Sequence, residues 1–301
     1  MRNIDLETDE DLDNHAESLS NWGRWGVDDQ LGTLNYITNE IKLNASKLIQ
    51  TGKTISLARE TDIQTLRDNT SLLFPNKDEI FDLLVGDQGC AEFIGSSIHG
   101  FNITHLDSLC HFFKNKDEMY NGFSTKELIK DGAGKLAMEN VANEGIVGRG
   151  VLLDMPLVKG KSLAPGMNFF PEDLSKAEET CKVEVKSGDI LFIRTGAGRK
   201  NTREIRSGLH PNCLPWLHQK EIAVLGSDGA SDTNPSSFER WNLPIYMIAI
   251  PYMGLHLLDN AELDLLSRTC QEENRWEFMV IIAPWRYKGT TSSPVNPLVI
   301  F

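Results

Sequence analysis

The stretch DILFIRT (189–195) decides the fold, because it is a short and almost continuous apolar run with glycine on both sides. Four further runs have the same character: GVLLDM (150–155), IAVLGSD (222–228), IYMIAI (245–250) and FMVIIA (278–283). Short β-branched runs bounded by Gly or Pro are typical of strands that are buried on both faces. The sequence therefore predicts a sheet built around these five runs.

Segments with helical character lie between the predicted strands. PEDLSKAEETC (171–181) begins with proline followed by two acids, a favourable helix start. CLPWLHQKE (213–221), NAELDLLSRTCQE (260–272) and residues 40–50 predict three more helices, and residues 53–60 predict a strand. Because strands and helices intermix, with no Ser/Gly/Pro-rich linker and no repeat, the sequence predicts a single α/β domain.

The remaining segments are polar or irregular. Residues 1–20 are acidic, and we expect a mobile N-terminal leader or a loose helix there, followed by the domain over 21–301. Residues 61–90 predict an irregular excursion or lid, and residues 92–103 predict an extended strand.

Composition limits the classes of partner. The 301 residues carry a formal net charge of −13, which argues against nucleic acid and anionic membranes as partners, since both require a cationic surface. The acidic N-terminus is not a secretory signal, and no apolar run approaches the ~18–20 residues of a membrane helix. The five cysteines are widely spaced without a CxxC, which favours reduced thiols and a cytoplasmic location.

Two common enzyme signatures do not fit. The sequence contains no GxSxG nucleophile motif, and GAGR (196–199) lacks the third glycine of a dinucleotide site. Arg194 and Arg199 flank that turn, and we expect both to lie on the solvated surface rather than to hold a substrate carboxylate.

The densest group of chemically active side chains lies in ITHLDSLCHFF (103–113). Along an extended strand, residues two apart share one face, so His105 and Asp107 can converge on one metal ion. His99 is too far along a straight strand and could join them only through a bend, which Gly100 permits. His111 could be a third ligand or a proton-transfer group, and a structural hydrogen-bonded cluster is the alternative interpretation.

At this point the sequence resembles a known family. THLDSLCHFF (104–113) is similar to the HxGTHxDxPxH signature of the cyclase superfamily, which includes bacterial kynurenine formamidases and isatin hydrolases. The likeness to the longer-chain branch extends over nearly all of Asn21–Phe301. It includes WGRWGVDDQLGTLNYIT (22–38), GVLLDM, SGDILFIRTG (187–196), LPWLHQKEIAVLGSD (214–228), MGLHLLDN (253–260) and IIAPWRYKGTTSSPVNPLVIF (281–301).

The resemblance implies a compact α/β fold of the swivelling β/β/α type, with a mixed sheet and flanking helices, in a homo-oligomer. It implies a hydrolase of amide bonds, often cyclic ones, that uses Zn²⁺ or Mn²⁺. By position in the signature, His105 and Asp107 match two metal ligands and His111 matches the proton-transfer histidine. Asp259 falls near the downstream acidic ligand.

The sequence departs from the family pattern at three positions. The first histidine of the short signature is Phe101, and the extra histidine of longer members is Ile103. The downstream histidine is replaced by Tyr246. His99 and His256 are possible substitutes, with His99 taken as the fourth candidate ligand.

Three functional hypotheses follow. The first is a metal-dependent hydrolase of a small cyclic or aromatic amide, lactam or lactone, with His111 as general acid/base. The second is a metal-free cyclase, dehydratase or isomerase of specialised metabolism, in which His105, Asp107, His111 and Tyr246 do the acid/base work. The third is a non-catalytic binding protein. The candidate walls of the substrate pocket are aromatic: Trp22, Trp25, Phe101 and Phe112.

Overall fold

The protein is described from a computed structural model, over residues 6–77, 80–160, 163–196, 198 and 204–301. Within these residues the strands are β1 (Thr54–Ser56), β2 (Phe81–Val85), β3 (Cys90–Ile94), β4 (His105–Asp107), β5 (Leu128–Ile129), β6 (Gly132–Ala133), β7 (Ile146–Asp154), β8 (Asn168–Phe169), β9 (Ile190–Arg194), β10 (Gly208–Leu209), β11 (Val224–Ser227), β12 (His256–Asp259), β13 (Glu277–Ile282), β14 (Ser292–Pro294) and β15 (Leu298–Ile300). The helices are α1 (Asp9–Ser18), α2 (Asn39–Ser46), α3 (Ile63–Leu73), α4 (Glu139–Ala142), α5 (Met155–Lys159), α6 (Pro171–Cys181), α7 (Cys213–Gln219), α8 (Pro244–Ile248) and α9 (Leu263–Glu273).

Nine of the described strands form one sheet in the spatial order β1-β15-β13-β7-β9-β11-β12-β4-β14. The four central strands, β7, β9, β11 and β12, run parallel to one another. The ladders on both sides of this centre are antiparallel. The predicted fold class, an α/β domain with a mixed sheet and flanking helices, is confirmed.

The central strands are buried on both faces. In β9, Leu191 and Ile193 belong to one buried apolar cluster, while Ile190 and Phe192 belong to the other. Burial on both faces leaves no position for a polar residue, which is why these strands read as continuous apolar runs. The strands predicted from GVLLDM, DILFIRT, IAVLGSD and FMVIIA are confirmed as β7, β9, β11 and β13.

The predicted helices in 40–50, 171–181, 213–221 and 260–272 are confirmed as α2, α6, α7 and α9. At the start of α6, the carboxylate of Asp173 accepts a hydrogen bond from the backbone N–H of Phe170, at 3.0 Å. No helix among the described residues is both long and apolar enough to cross a membrane.

The strand predicted over IYMIAI (245–250) is wrong, because this segment forms α8 and enters a π-helical turn over Ala249–Met253. Pro244 occupies the first turn of the helix. The carboxylate of Asp232 accepts hydrogen bonds from the backbone N–H groups of Ile245 (2.8 Å) and Tyr246 (3.1 Å). This cap comes from a residue more than ten positions away, so the local apolar pattern could not reveal it.

The segment 61–103 also differs from its prediction. The expected irregular excursion over 61–90 contains α3, which Asp62 caps by accepting a hydrogen bond from the N–H of Thr65 at 2.7 Å. It also contains β2, which pairs with β3 in a separate hairpin. Residues 78 and 79 lie outside the described residues. The strand expected over 92–103 is wrong beyond Ile94, where β3 ends and the chain turns.

Residues 9–18 form α1. This helix begins with a capping box made by Thr8 and Asp11. Leu12 and Ala16 are fully buried in the main apolar cluster, so this helix is packed rather than loose. Residues 1–5 lie outside the described residues, and the boundary at residue 20 stays a prediction.

Of the two arginines expected on the surface, Arg199 lies outside the described residues. Arg194 is mostly buried, at 18% side-chain exposure, which corrects the expectation. Its guanidinium pairs with the carboxylates of Asp154 at 2.9 Å and Asp264 at 2.8 Å.

Candidate functional site

Strand β4 places the first two candidate residues. Leu106 lies between them and enters the apolar core, so His105 and Asp107 project together from the opposite face of the sheet. His105 Nε2 lies 3.7 Å from Asp107 Oδ1. Both side chains are almost completely buried. The convergence predicted from strand alternation is therefore what the structure shows for this pair.

Asp259 joins them from the neighbouring strand. It ends β12 in register with His105, and its Oδ2 lies 3.9 Å from His105 Nε2. The hydroxyl of Tyr246, on α8, donates a hydrogen bond to the same Oδ2 at 2.5 Å. Tyr246 thus occupies the site as a support for Asp259.

His99 and His111 complete the cluster from two loops. His99 Nδ1 lies 3.2 Å from Asp107 Oδ1, and His111 Nε2 lies 3.9 Å from Asp107 Oδ2. The two imidazole rings stack on each other, with centroids 3.8 Å apart and 7° between their planes. Their side chains are 26% and 24% exposed, so this pair forms the open side of the cluster.

A bend at Gly100 brings His99 back to the cluster. Gly100 has a φ of +135°, and a Cβ there would lie 2.2 Å from Asn69 Oδ1, so both conformation and space favour glycine. Asn69 Nδ2 donates hydrogen bonds to the carbonyls of Ser97 (2.6 Å) and His99 (3.3 Å). The His99 loop is thus held by α3, which carries Asn69.

The proton positions on His105 follow from its hydrogen bond. Its Nδ1 lies 2.8 Å from the carbonyl oxygen of Ile103, which can only accept, so Nδ1 carries the proton. Nε2 then presents a lone pair toward Asp107 and Asp259. Histidines that bind metals commonly show this arrangement, in which the second ring nitrogen donates to a carbonyl or carboxylate.

Burial dominates the electrostatics of the cluster. It raises the pKa of both Asp107 and Asp259 to about 7, an effect that the nearby imidazole of His105 partly offsets. Burial also lowers the pKa of His99 to about 4. The pKa of His111 falls well below its usual value, first through burial and then through the nearby imidazoles of His99 and His105. Without a cation, the site therefore disfavours both ionised carboxylates and protonated imidazoles.

The donor atoms fit a divalent cation. Among the described residues, two sets of three donor residues have ligand atoms within 4.8 Å of one another: His105, Asp107 and Asp259, and His99, Asp107 and His111. Both oxygens of Asp107 and Oδ1 of Asp259 are buried and accept no hydrogen bond from any described residue. Buried carboxylate oxygens without donors are costly unless a cation pairs with them. Nitrogen and carboxylate ligands suit Zn²⁺, Mn²⁺ and related ions.

Two other residues of the sequence analysis have supporting contacts. The side chain of Ile103 offers no ligand atom, and its carbonyl orients His105. His256, the first residue of β12, has its Nδ1 2.9 Å from the carbonyl oxygen of Asp107, and neither donor set includes it.

Of the four candidate wall residues, Phe112 has a described contact with the cluster, and the role of Phe101 as a wall stays a prediction. Phe112 packs against His111 (4.9 Å between centroids) and Tyr246 (5.4 Å), so it borders the cluster. The Phe101 ring lies 5.6 Å from the guanidinium of Arg206.

The two tryptophans make their described contacts elsewhere. Trp22 Nε1 donates to the carbonyl of Pro251 at 2.7 Å, and the Trp25 ring packs edge-on against Tyr36 at 5.0 Å. Nothing described brings either ring to the cluster, and their role as pocket walls stays a prediction.

The sequence analysis missed three residues around the site, of which Arg206 and Asp232 are buried and Thr291 is half-buried. Arg206 is 5% exposed, and its charge lowers the pKa of Asp259 slightly against the larger effect of burial. Asp232 caps α8 and so sets the position of Tyr246. Thr291 Oγ1 lies 3.2 Å from His99 Nε2. All three reach the site from distant parts of the chain, so no local motif marks them.

Several solved structures share this fold and match most of the chain. One described as a novel cyclase is 29% identical, with a TM-score of 0.83, covering 95% of this chain and 99% of its own. Isatin hydrolase A from Labrenzia aggregata is 18% identical, with a TM-score of 0.60, covering 85% and 94%. A predicted metal-dependent hydrolase from Bacillus stearothermophilus is 13% identical, with a TM-score of 0.51, covering 82% and 97%. The last two likenesses concern the fold.

Family membership rests on the sequence itself. No curated protein sequence matches the chain. Residues 54–232 match the family model described as "Putative cyclase". This match covers more than half of the 301 residues and includes β4 and the histidines around it. The resemblance found in the sequence is thereby confirmed, and the chain belongs to this cyclase family.

Proposed function

We propose that the protein is a metal-dependent hydrolase of a small cyclic or aromatic amide, lactam or lactone. The observation that carries the proposal is the carboxylate of Asp107. It is buried and surrounded by three imidazoles, and neither oxygen accepts a hydrogen bond from a described residue. A second buried carboxylate, that of Asp259, lies within the same cluster. A divalent cation is the partner that satisfies this set of donors.

In this proposal His105, Asp107 and Asp259 hold a Zn²⁺ or Mn²⁺ ion. When bound, the ion supplies Lewis acidity, which polarises a carbonyl group and acidifies water. The Nδ1–H···O=C bond to Ile103 fixes the His105 ring with Nε2 facing the site. The Tyr246 hydroxyl restrains Asp259. These contacts keep the donors in place without substrate, as preorganised catalytic groups require.

His111 moves the proton. It stands at the open side of the cluster, and burial keeps its imidazole neutral near pH 7. A neutral imidazole can accept a proton from the attacking water and return it to the leaving nitrogen or oxygen. Phe112 packs against His111, so an apolar substrate ring has a surface beside the proton-transfer group.

One observation favours a second candidate function. Tyr246 donates to Asp259 where the family pattern has a histidine, and its pKa is raised well above the usual value, first by burial and then by Asp259. A tyrosine, a carboxylate and a neutral imidazole in contact could act as an acid/base set without a metal. A cyclase, dehydratase or isomerase would use such a set.

Elemental mass spectrometry of untagged protein, purified without chelator, tests the proposal. We expect about one Zn or Mn per chain, as one complete donor set requires. His105→Ala should lose it, while the control His218→Ala, which removes a histidine outside the cluster, should keep it. The loaded protein is then screened against cyclic amides, lactams and lactones. Absence of metal uptake on titration would overturn the hydrolase and leave the metal-free acid/base enzyme.

A further inference from the structure

Arg206 is a buried cation beside the candidate site. It is only 5% exposed, and its backbone is fixed by two hydrogen bonds with the backbone of Asn234, at 2.9 and 3.0 Å. Its guanidinium lies 5.6 Å from the centre of the Phe101 ring. Burial raises the pKa of Asp259, and the charge of Arg206 acts in the opposite direction, so the guanidinium is within electrostatic reach of that carboxylate.

Backbone contacts hold the Phe101 loop beside the cluster. Asn260 Nδ2 donates to the carbonyls of Gly100 (2.8 Å) and Ile103 (3.0 Å). These two residues flank Phe101 in the chain, and Arg59 Nη1 donates to the carbonyl of Phe101 itself at 2.7 Å. Asn260 directly follows the last residue of β12. The loop is therefore tied to the strand that carries the candidate acidic ligand, and the Phe101 ring brings the guanidinium to the same place.

The cluster is rich in acceptors, whereas Arg206 supplies donors. In the proposed function, a divalent ion balances the charges of Asp107 and Asp259, so neither carboxylate needs Arg206 as its counter-charge. Asp232 is also within reach of the charge of Arg206, but its two oxygens accept the N–H groups that begin α8. A guanidinium has five N–H donors, so Arg206 can offer two to a ligand and use the others within the protein.

We propose that Arg206 and Phe101 form a subsite for a carboxylate group of the substrate. The inference rests on the proposed hydrolase and names its substrate class: amides, lactams or lactones that carry a carboxylate. The planar fork of a guanidinium matches the two oxygens of a carboxylate, and a cation–π contact with the ring holds that fork in place. Phe101 stands where the short family signature has its first histidine. The residue that removes a ligand atom thus supplies a support for the cation.

Isothermal titration with benzoate and with its neutral isostere benzamide tests the subsite. The wild type should bind benzoate more tightly by about 10- to 100-fold, the range for hydrogen bonds to a charged group. Arg206→Gln should lose this preference, and Arg206→Lys, which keeps the charge, should retain part of it. Arg275→Gln is the matched control, because the Arg275 guanidinium lies 5.5 Å from the ring of Phe301, which follows β15 near the opposite edge of the sheet from β4. This control should keep the full preference.

Two results overturn the proposal. The first is a wild type that binds both probes equally, a result that does not depend on whether any variant folds. The second is an Arg206→Gln variant that still prefers benzoate, as expected if the probe binds only the ion. Metal content decides the hydrolase separately. A protein without metal that prefers benzoate through Arg206 would keep the subsite and lose the hydrolase, while a metal-loaded protein without the preference would lose the subsite alone.

Discussion

The candidate metal site has two halves that differ in how they are held. His105, Asp107 and Asp259 lie on the adjacent strands β4 and β12, and their side chains are at most 8% exposed. His99 and His111 lie on loops, and about a quarter of each side chain is exposed. A group buried in a sheet suits a fixed ligand, while a group at the open side suits contact with substrate. In the proposed function, the first half therefore binds the ion and the second half serves proton transfer.

Asp107→Asn should have the largest effect, because Asp107 belongs to both donor sets. Its loss should weaken metal affinity by more than the roughly 100-fold that loss of a supporting residue costs. Turnover should disappear with the metal. Isothermal titration with Zn²⁺ and Mn²⁺ measures the affinity, and Asp264→Asn, on exposed α9 surface, is the control. If the Asp107→Asn variant kept the wild-type metal affinity, the roles assigned to both halves would be wrong.

In the metal-free protein, the same substitution should stabilise the fold, although it weakens metal binding. Burial raises the pKa of Asp107 to about 7 in the folded chain, against an ordinary value of about 3.9. Between these pH values the folded state binds more protons than the unfolded state, so its stability falls as pH rises from about 4 to 7. With EDTA present, Asp107→Asn should therefore be more stable than the wild type at about pH 8 and similar at about pH 4. If the free energies of unfolding in urea of the wild type and of Asp107→Asn differ by the same amount at both pH values, this prediction is wrong.

His111→Ala tests the other half. If His111 serves proton transfer, the variant should keep its metal and lose turnover by roughly 100- to 10,000-fold. Metal content and kcat, measured on the best substrate of the screen, separate the two effects. His218→Ala again serves as the control. A variant that loses metal as completely as His105→Ala would make His111 a ligand and remove the distinction between the halves.

The half on the strands was the more predictable one. Alternation along β4 was enough to place His105 and Asp107 together. The central strands were predictable for a related reason, since burial on both faces leaves a continuous apolar run. Asp259 required the family resemblance, because its register with His105 is a contact between strands 154 positions apart in sequence.

The loops and α8 were less predictable, because distant side chains fix them. Asp232 makes a helix of a segment whose apolar run reads as a strand. Asn69 holds the loop that returns His99 to the cluster, and Gly100 indicated only that a bend was possible. Local propensity cannot report such contacts, since each depends on the completed fold.

Tyr246→Phe tests whether the hydroxyl of Tyr246 supports Asp259 within the buried half. The change removes the hydrogen bond to Asp259 and keeps the ring. As a supporting contact, it should lower metal affinity by about 10- to 100-fold. Tyr120→Phe is the matched control, because its hydroxyl donates to Asp29, outside the cluster, at 3.0 Å. Complete loss of turnover in a protein that holds no metal would instead support the metal-free acid/base enzyme.

Asn69→Ala should have the smallest effect and should act on the exposed half alone. Two backbone carbonyls lose their donor, which should lower the free energy of unfolding by about 1–3 kcal/mol. Asn21→Ala is the matched control, because buried Asn21 also donates to a carbonyl, that of Met253, at 2.9 Å. The two variants should be similarly destabilised in urea, but only Asn69→Ala should reduce kcat, because it loosens the loop of His99 beside His111. Metal affinity should change little, since in the proposed function the residues on the strands hold the ion. A loss of metal comparable to that in Asp107→Asn would show that the loop and the strands hold the ion together.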